Sequence, residues 1–253
     1  MTGKLSADLS GRAALVTGAS AGLGKHFALL LAGAGARVIA AARSTDKLAA
    51  TVAAIVAAGG DALAVSLDVK DEASIVAAIE ASGPIDILVN NAGIASTKRL
   101  LDWQAGDWDD VMDTNLRGAW MVASAVARQM VARTCQGSII NIASIIGERV
   151  AGGVMPYAVS KAGLIQMTKA MALELAGKGI RVNALAPGYI KTDINREFLQ
   201  SEAGSRLLKR VPQGRFGEPE DLDGALLLLA SDASKFINGA VIAVDGGHLV
   251  SSL

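Results

Sequence analysis

Cysteine is almost missing from this chain: Cys135 is the single one in 253 residues. No intrachain disulfide can form, and a reducing compartment, the cytoplasm, is the expected location. Histidine is nearly as scarce. His26 and His248 stand far apart, with no carboxylate or thiol at ligand spacing around either, which argues against zinc chemistry and against any metal site built on imidazoles. Net charge is absent too, since 24 basic side chains balance 24 acidic ones. With no basic cluster to neutralise phosphates, nucleic acid is excluded as a main partner. The opening MTGKLSADLSGR has no apolar h-region, and no stretch of about eighteen uninterrupted apolar residues follows. Neither export nor membrane insertion is expected.

What the chain does have is apolar content, 51% of its residues, and a rhythm. Short β-rich runs alternate with Ala-rich stretches of helical period: AALVTGA, then 22–34; RVIAAA, then 45–58; DALAVSLDV, then 71–82. IDILVNNAG, GSIINIAS, IRVNALAPG and AVIAVDGG complete the set. Seven near-continuous apolar strands separated by helices predict an α/β fold, a parallel sheet covered on both faces. One domain over residues 1–253 is expected, because α/β folds of this length stay undivided. The rhythm breaks at about 188–216, a polar segment carrying Pro212 and Gly214 that reads as a lid over a site.

Two local patterns point to chemistry. The first βα junction, TGASAGLG, sets Gly18, Gly22 and Gly24 between a strand and a helix. Glycines there let the backbone turn sharply and approach a pyrophosphate held on the N–H groups of the helix start. The second is PYAVSK, in which Pro156 suits the first turn of a helix and Tyr157 and Lys161 then share one helix face. Taken alone, such a pair is more often an ordinary tyrosine lying over a surface lysine than a site.

Thr17-Gly18-x-x-x-Gly22-x-Gly24, Asn90-Asn91-Ala92-Gly93, Asn115, Ser144, Tyr157-x-x-x-Lys161 and Pro187-Gly188 together resemble, in order and spacing, the short-chain dehydrogenase/reductase family, over nearly the whole chain from Leu9 to Gly247. The resemblance implies a doubly wound Rossmann-type domain and a catalytic set of Asn115, Ser144, Tyr157 and Lys161. It also implies a cofactor site. Gly18, Ser20, Gly22, Leu23 and Gly24 come from the first loop, Arg43 and Ser44 from the end of the second strand, and Asp68 and Val69 from the end of the third. Asn91, Ala92 and Gly93 follow the fourth strand, Tyr157 and Lys161 reach in from their helix, and Pro187, Gly188, Ile190 and Thr192 follow the sixth strand. A homotetramer is implied as well, and the Ala-, Met- and Gly-rich stretches 115–133 and 157–177 suit helix packing across an interface.

Each catalytic residue then has a physical role. A phenol with a pKa of about 10 is a poor acid at neutral pH. An ammonium at about 4 Å, with an effective dielectric near 20, would favour the phenolate by about 4 kcal/mol, or about three pK units. Lys161 is therefore expected to bring Tyr157 toward neutrality, where it can protonate a carbonyl oxygen or take an alcohol proton. Ser144, at a strand's carboxyl end, would hold the substrate oxygen; with no histidine placed as its base, it is not a nucleophile. Asn115 resembles the family's helix-bending asparagine.

The expected activity is hydride transfer between a nicotinamide cofactor and a ketone or secondary alcohol. A non-catalytic dinucleotide sensor has no use for an acid and its tuner. Sugar epimerases of similar motif carry a larger C-terminal domain, and enoyl reductases space the tyrosine and lysine further apart. Relatives that prefer NAD place an acid at the end of the second strand to bind both ribose hydroxyls. Here that slot holds Ala42, followed by Arg43, so NADP(H) is favoured and NAD(H) is the alternative, although Ala21 stands where many NADP-dependent relatives carry a second basic residue. The loop IASTKRL after Gly93 and the lid would shape the substrate pocket, with 3-oxoacyl thioesters, sugars and secondary alcohols equally compatible. Trp103 and Trp108 read as a staple at a helix beginning near Asp107, or else as pocket lining. GEPEDL (217–222) reads as a turn into an apolar helix. His248 is expected either in solvent or at a neighbouring subunit's site.

Overall fold

The computed structural model describes residues 7–192 and 195–251. The expected alternation is realised without interruption through the first half of the chain: β1 (Ala13–Thr17), α1 (Gly22–Gly33), β2 (Arg37–Ala42), α2 (Thr45–Ala57), β3 (Ala62–Ser66), α3 (Glu72–Ser82) and β4 (Ile87–Asn90). Then come α4 (Ala105–Met112), α5 (Ala119–Ala132), β5 (Gly137–Ile142), α6 (Met155–Leu175) and β6 (Ile180–Pro187). The last part holds two short helices, α7 (Arg196–Gln200) and α8 (Glu202–Leu208), followed by α9 (Asp223–Ala230) and β7 (Val241–Val244). All strand pairings are parallel, in the order β3-β2-β1-β4-β5-β6-β7.

The seven apolar runs are strands because helices cover both faces of the sheet. Phe27, Leu31, Leu48, Ile55 and Leu226 from α1, α2 and α9 pack on one face. Ile75, Val122, Val126, Met130 and Ala172 from α3, α5 and α6 pack on the other. Every residue of β1 and β5 is buried, whereas β3 and β7, at the two edges, are mostly open, as strands with one neighbour must be.

Helix starts differ slightly from expectation. Pro156 is the second residue of α6, still in the first turn where its missing N–H removes no bond. α4 starts at Ala105 rather than near Asp107, because the Asp107 carboxylate reaches back to accept the Gln104 N–H at 3.0 Å. Trp103 and Trp108 then occupy the two staple positions of that helix, and neither lines the main cleft. GEPEDL forms a short 3-10 turn at Pro219–Leu222 that runs into α9. The expected lid holds α7 and α8; Asp193 and Ile194 within it lie outside the described residues.

Candidate active site

After β3 the chain crosses over β2 and β1 to add β4 on the other side, so the carboxyl ends of β1 and β4 part and leave a crevice. Its floor is fastened by Thr17. The threonine hydroxyl accepts the N–H groups of Asn91 and Ala92, each at 2.9 Å, and the Asn91 amide donates to the Thr17 carbonyl at 3.0 Å. A cleft of about 950 Å³ runs from this floor to the ends of β5 and β6.

The glycine loop forms one wall. A Cβ on Gly24 would lie 2.1 Å from the Gly18 carbonyl oxygen, so only glycine lets α1 start this close to β1. Gly22 has a positive φ of 52° and faces open space, and α1 begins there with no side-chain cap. The first-turn N–H groups are thus left for an anion from the cleft, which fits a pyrophosphate. Ser20 and Leu23 line the same wall. Beyond it, Ala42 is buried at the end of β2, and Arg43 and Ser44 are exposed along the cleft. Asp68, whose carboxylate accepts the Lys70 N–H at 2.9 Å, and buried Val69 close that end.

Ser144, Tyr157 and Lys161 meet at the other end. Ser144 is 7% exposed, and its Oγ accepts the Ile146 N–H at 3.2 Å, so it does cap a turn, and it lines the same cleft as Tyr157. Lys161 lies 5.5 Å from the centre of the Tyr157 ring and donates to the Ile142 carbonyl at 2.7 Å. Burial drives the electrostatics here. It pushes the Tyr157 pKa up, with the Ser144 hydroxyl opposing and Tyr189 adding to the rise. It also lowers Lys161 to about 8. Desolvation therefore outweighs the expected lowering of Tyr157 by Lys161, whose ammonium is 5.5 Å from the ring centre and donates to a backbone carbonyl.

Asn115 does not line the cleft; it stands behind it. Asp113–Gly118 forms a π-helical turn between α4 and α5. In that widened turn Asn115 accepts the Ile94 N–H and donates to the Ile94 carbonyl, both at 2.8 Å. Its Nδ2 also donates to the Ser160 hydroxyl at 3.2 Å, and Ser160 donates to the Tyr157 carbonyl at 2.8 Å.

The remaining residues singled out from the sequence line this one cleft: Gly93 after β4, and Pro187, Gly188, Ile190 and Thr192 after β6. Asn195 fastens the last two, donating to the Ile190 carbonyl at 2.8 Å and accepting the Thr192 N–H at 2.9 Å. Sequence reasoning missed Tyr189, Phe198, Ile146 and Val154, which surround the Ser144–Tyr157 end. Only Tyr189 carried a signal, as an aromatic directly after Pro187-Gly188. Burial raises its pKa, against the charges of Arg149 and Arg210. His248 is neither a solvated tail residue nor free to reach elsewhere: it is 4% exposed, its ring lies 5.7 Å from that of Tyr189, and Arg149 donates to its carbonyl.

Residues 18–248 match a family model described as enoyl-(acyl carrier protein) reductase. Gluconate 5-dehydrogenase of Gluconobacter oxydans (strain 621H) is 42% identical over 249 residues, which cover 96% of this chain and 97% of that protein. The 3-oxoacyl-[acyl-carrier-protein] reductase of Thermotoga maritima is also 42% identical, over 246 residues, 96% of this chain and 99% of its own. Among solved structures, a gluconate 5-dehydrogenase from Burkholderia cenocepacia J2315 in complex with NADP and tartrate superposes with a TM-score of 0.94 at 40% identity, covering 98% of each chain. Relatives at this level over nearly the full length, on the same seven-stranded sheet, leave one conclusion: the chain belongs to the short-chain dehydrogenase/reductase family and is a nicotinamide-dependent oxidoreductase.

Proposed function

We propose that this enzyme interconverts a ketone and a secondary alcohol with NADP(H), using Tyr157 as the acid and base. The observation that carries the reading is the convergence of Ser144, Tyr157 and Lys161 in one cleft that the glycine loop also lines. When bound, the nicotinamide supplies or accepts the hydride. Ser144 then holds the substrate oxygen beside the phenol. In reduction, as the carbonyl carbon gains the hydride, the Tyr157 O–H bond breaks and its proton goes to the carbonyl oxygen, giving the alcohol. The phenolate left behind faces the Lys161 ammonium, whose charge stabilises it. Oxidation runs the same proton back. The raised pKa of Tyr157 keeps the phenol loaded for reduction at neutral pH.

The four-residue step from Tyr157 to Lys161 favours carbonyl over enoyl reduction, despite the description of the matching family model. The absence of an acid at Ala42, with Arg43 beside it, supports NADP(H), the cofactor named in the related B. cenocepacia complex. Ile146, Val154 and Phe198 give the substrate end an apolar side, and Tyr189 and Asn195 a polar one. That mixture suits a small hydroxylated or keto substrate. Trp120 on α5 and Leu173 on α6, 49% and 82% exposed, support assembly as a homotetramer, and the single cysteine suits a cytoplasmic location.

Initial rates on a panel of ketones and alcohols with both cofactors test the reading. NADPH should exceed NADH by about ten- to a hundredfold in kcat/KM, and Ala42→Asp should invert the ratio. Tyr157→Phe should abolish reduction while leaving cofactor affinity within a few-fold. Retention of more than about a tenth of kcat/KM, a loss under about 1.4 kcal/mol, would reject the tyrosine as acid.

A further inference from the structure

The end of the cleft beside Arg43 carries a second cation that no sequence pattern singled out. Lys47 lines the cleft together with Arg43, Ser44 and Ala21. Both Lys47 and Arg43 are exposed, and neither has an ion-pair partner among the described residues. Of the residues that line the cleft, Asp68 is the one acid, and its carboxylate is engaged by the Lys70 N–H; Asp46, next to Lys47, does not line the cleft. Two unpaired positive charges therefore face the same corner with no carboxylate between them.

Two residues at the start of α2 depart from the ordinary rules of helix starts, although Asp46 in the first turn obeys them. Lys47 is the third residue of α2, in a turn where the helix dipole disfavours cations. Ser44 holds the N-cap position with extended backbone, φ −89° and ψ 98°, yet its hydroxyl makes no capping bond. Departures of this kind collect at functional positions, where a ligand offsets the local cost. An anion between Arg43 and Lys47 would do so here.

We propose that Lys47 is a specificity-determining residue, whose ammonium joins the Arg43 guanidinium in binding the 2′-phosphate of NADP(H). The inference rests on the NADP(H) reading above. It also answers a gap in that reading, since Ala21 leaves the glycine loop without a second basic group; Lys47 brings one from α2 instead. The two cations divide the task by their chemistry. Arg43 presents a planar fork to the phosphate or a flat face to the adenine, and Lys47 adds a point charge on a flexible stem. As both are exposed, their attraction for the phosphate is screened by salt.

The test is the affinity of the full-length Lys47→Met variant for NADPH, NADH, adenosine 2′,5′-bisphosphate and 5′-AMP, at low and high salt. Dissociation constants for NADPH and the bisphosphate should rise about five- to tenfold at low salt and less at high salt, while those for NADH and 5′-AMP move less than about twofold. Lys47→Arg should restore the phosphate selectivity, and Lys47→Glu should reverse the preference of the pair. Equal changes for phosphorylated and unphosphorylated ligands, or no change in an enzyme that still prefers NADPH through Arg43, would overturn the role of Lys47 alone. An unmodified enzyme that binds NADH as tightly as NADPH would overturn both this inference and the cofactor reading beneath it.

Discussion

Asn115 and Ser160 are joined side chain to side chain behind the active site, Nδ2 to Oγ at 3.2 Å, and the serine hydroxyl passes the link to the Tyr157 carbonyl at 2.8 Å. Both side chains are buried. The chain therefore ties Ile94, on the wall of the cleft, to the first turn of α6, which carries the proposed acid, Tyr157. Small displacements of an acid from its substrate are costly in rate. Ser160→Ala should lower kcat about three- to tenfold with KM and cofactor affinity unchanged, and Ser160→Cys should recover part of the loss. Steady-state kinetics that leave kcat untouched would show that Tyr157 is held without this link.

Protonation of Tyr157 gives the two directions opposite pH behaviour. With its pKa raised by burial, the phenol is protonated through the neutral range. Reductive kcat/KM should be flat over about pH 6 to 8 and decline only at alkaline pH, and oxidative kcat/KM should climb with pH because it needs the phenolate. Initial rates in both directions across pH check this; a reductive rate that falls steadily across the neutral range would contradict it.

Lys161 makes the cofactor-free protein less stable at neutral pH than above it. Its folded pKa of about 8 lies below the ordinary 10.5, so between these values the unfolded chain binds the extra proton and stability rises with pH. Below about 8 the full penalty of a buried ammonium applies. Relative to Lys161→Met, the unmodified protein should gain about 3 kcal/mol between pH 8 and 10.5, read as a double difference in urea unfolding. A pH-independent difference would mean that the ammonium is not desolvated.

The two loop glycines should fail differently. Gly24→Ala forces a methyl to 2.1 Å from the Gly18 carbonyl oxygen and should cost about 2–3 kcal/mol of stability, whatever the ligand. Gly22→Ala meets open space but a φ of 52°, so it should cost about 1 kcal/mol and weaken NADPH binding as well. Denaturation and cofactor titration separate the two; equal losses of stability would show that the loop relaxes around the Gly24 methyl.

Trp120 and Leu173 bear on assembly. Light scattering at micromolar concentration should give four subunit masses, and Leu173→Glu should shift the population to smaller species. A single subunit mass for the unmodified protein would refute the tetramer.

Much of this molecule was legible from one sequence because both of its signals are local. Uninterrupted apolar runs such as SIINI are strands only when two helical layers cover them, and the glycine loop sits at a fixed place between β1 and α1. What depended on depth was not legible. The spacing of Tyr157 and Lys161 gave their shared face but not the burial that raises one pKa and lowers the other. The resemblance pointed to a bend at Asn115, but not to the π turn at Asp113–Gly118 or to the contacts with Ile94 and Ser160 that it allows. Phe198 and Lys47 were hidden for a different reason: they line one cleft from segments whose relative placement only the folded sheet decides.

The Thr17–Asn91 clasp also sets an order of events during synthesis. The glycine loop leaves the ribosome before its brace, which arrives only after three βα units have been made and β4 has docked beside β1. Until then the loop lacks the floor that Thr17, Asn91 and Ala92 form together. Ser144 and Tyr157 emerge later still. Cofactor binding must therefore act on the completed sheet, as a ligand that protects the finished fold from unfolding rather than one that guides its formation.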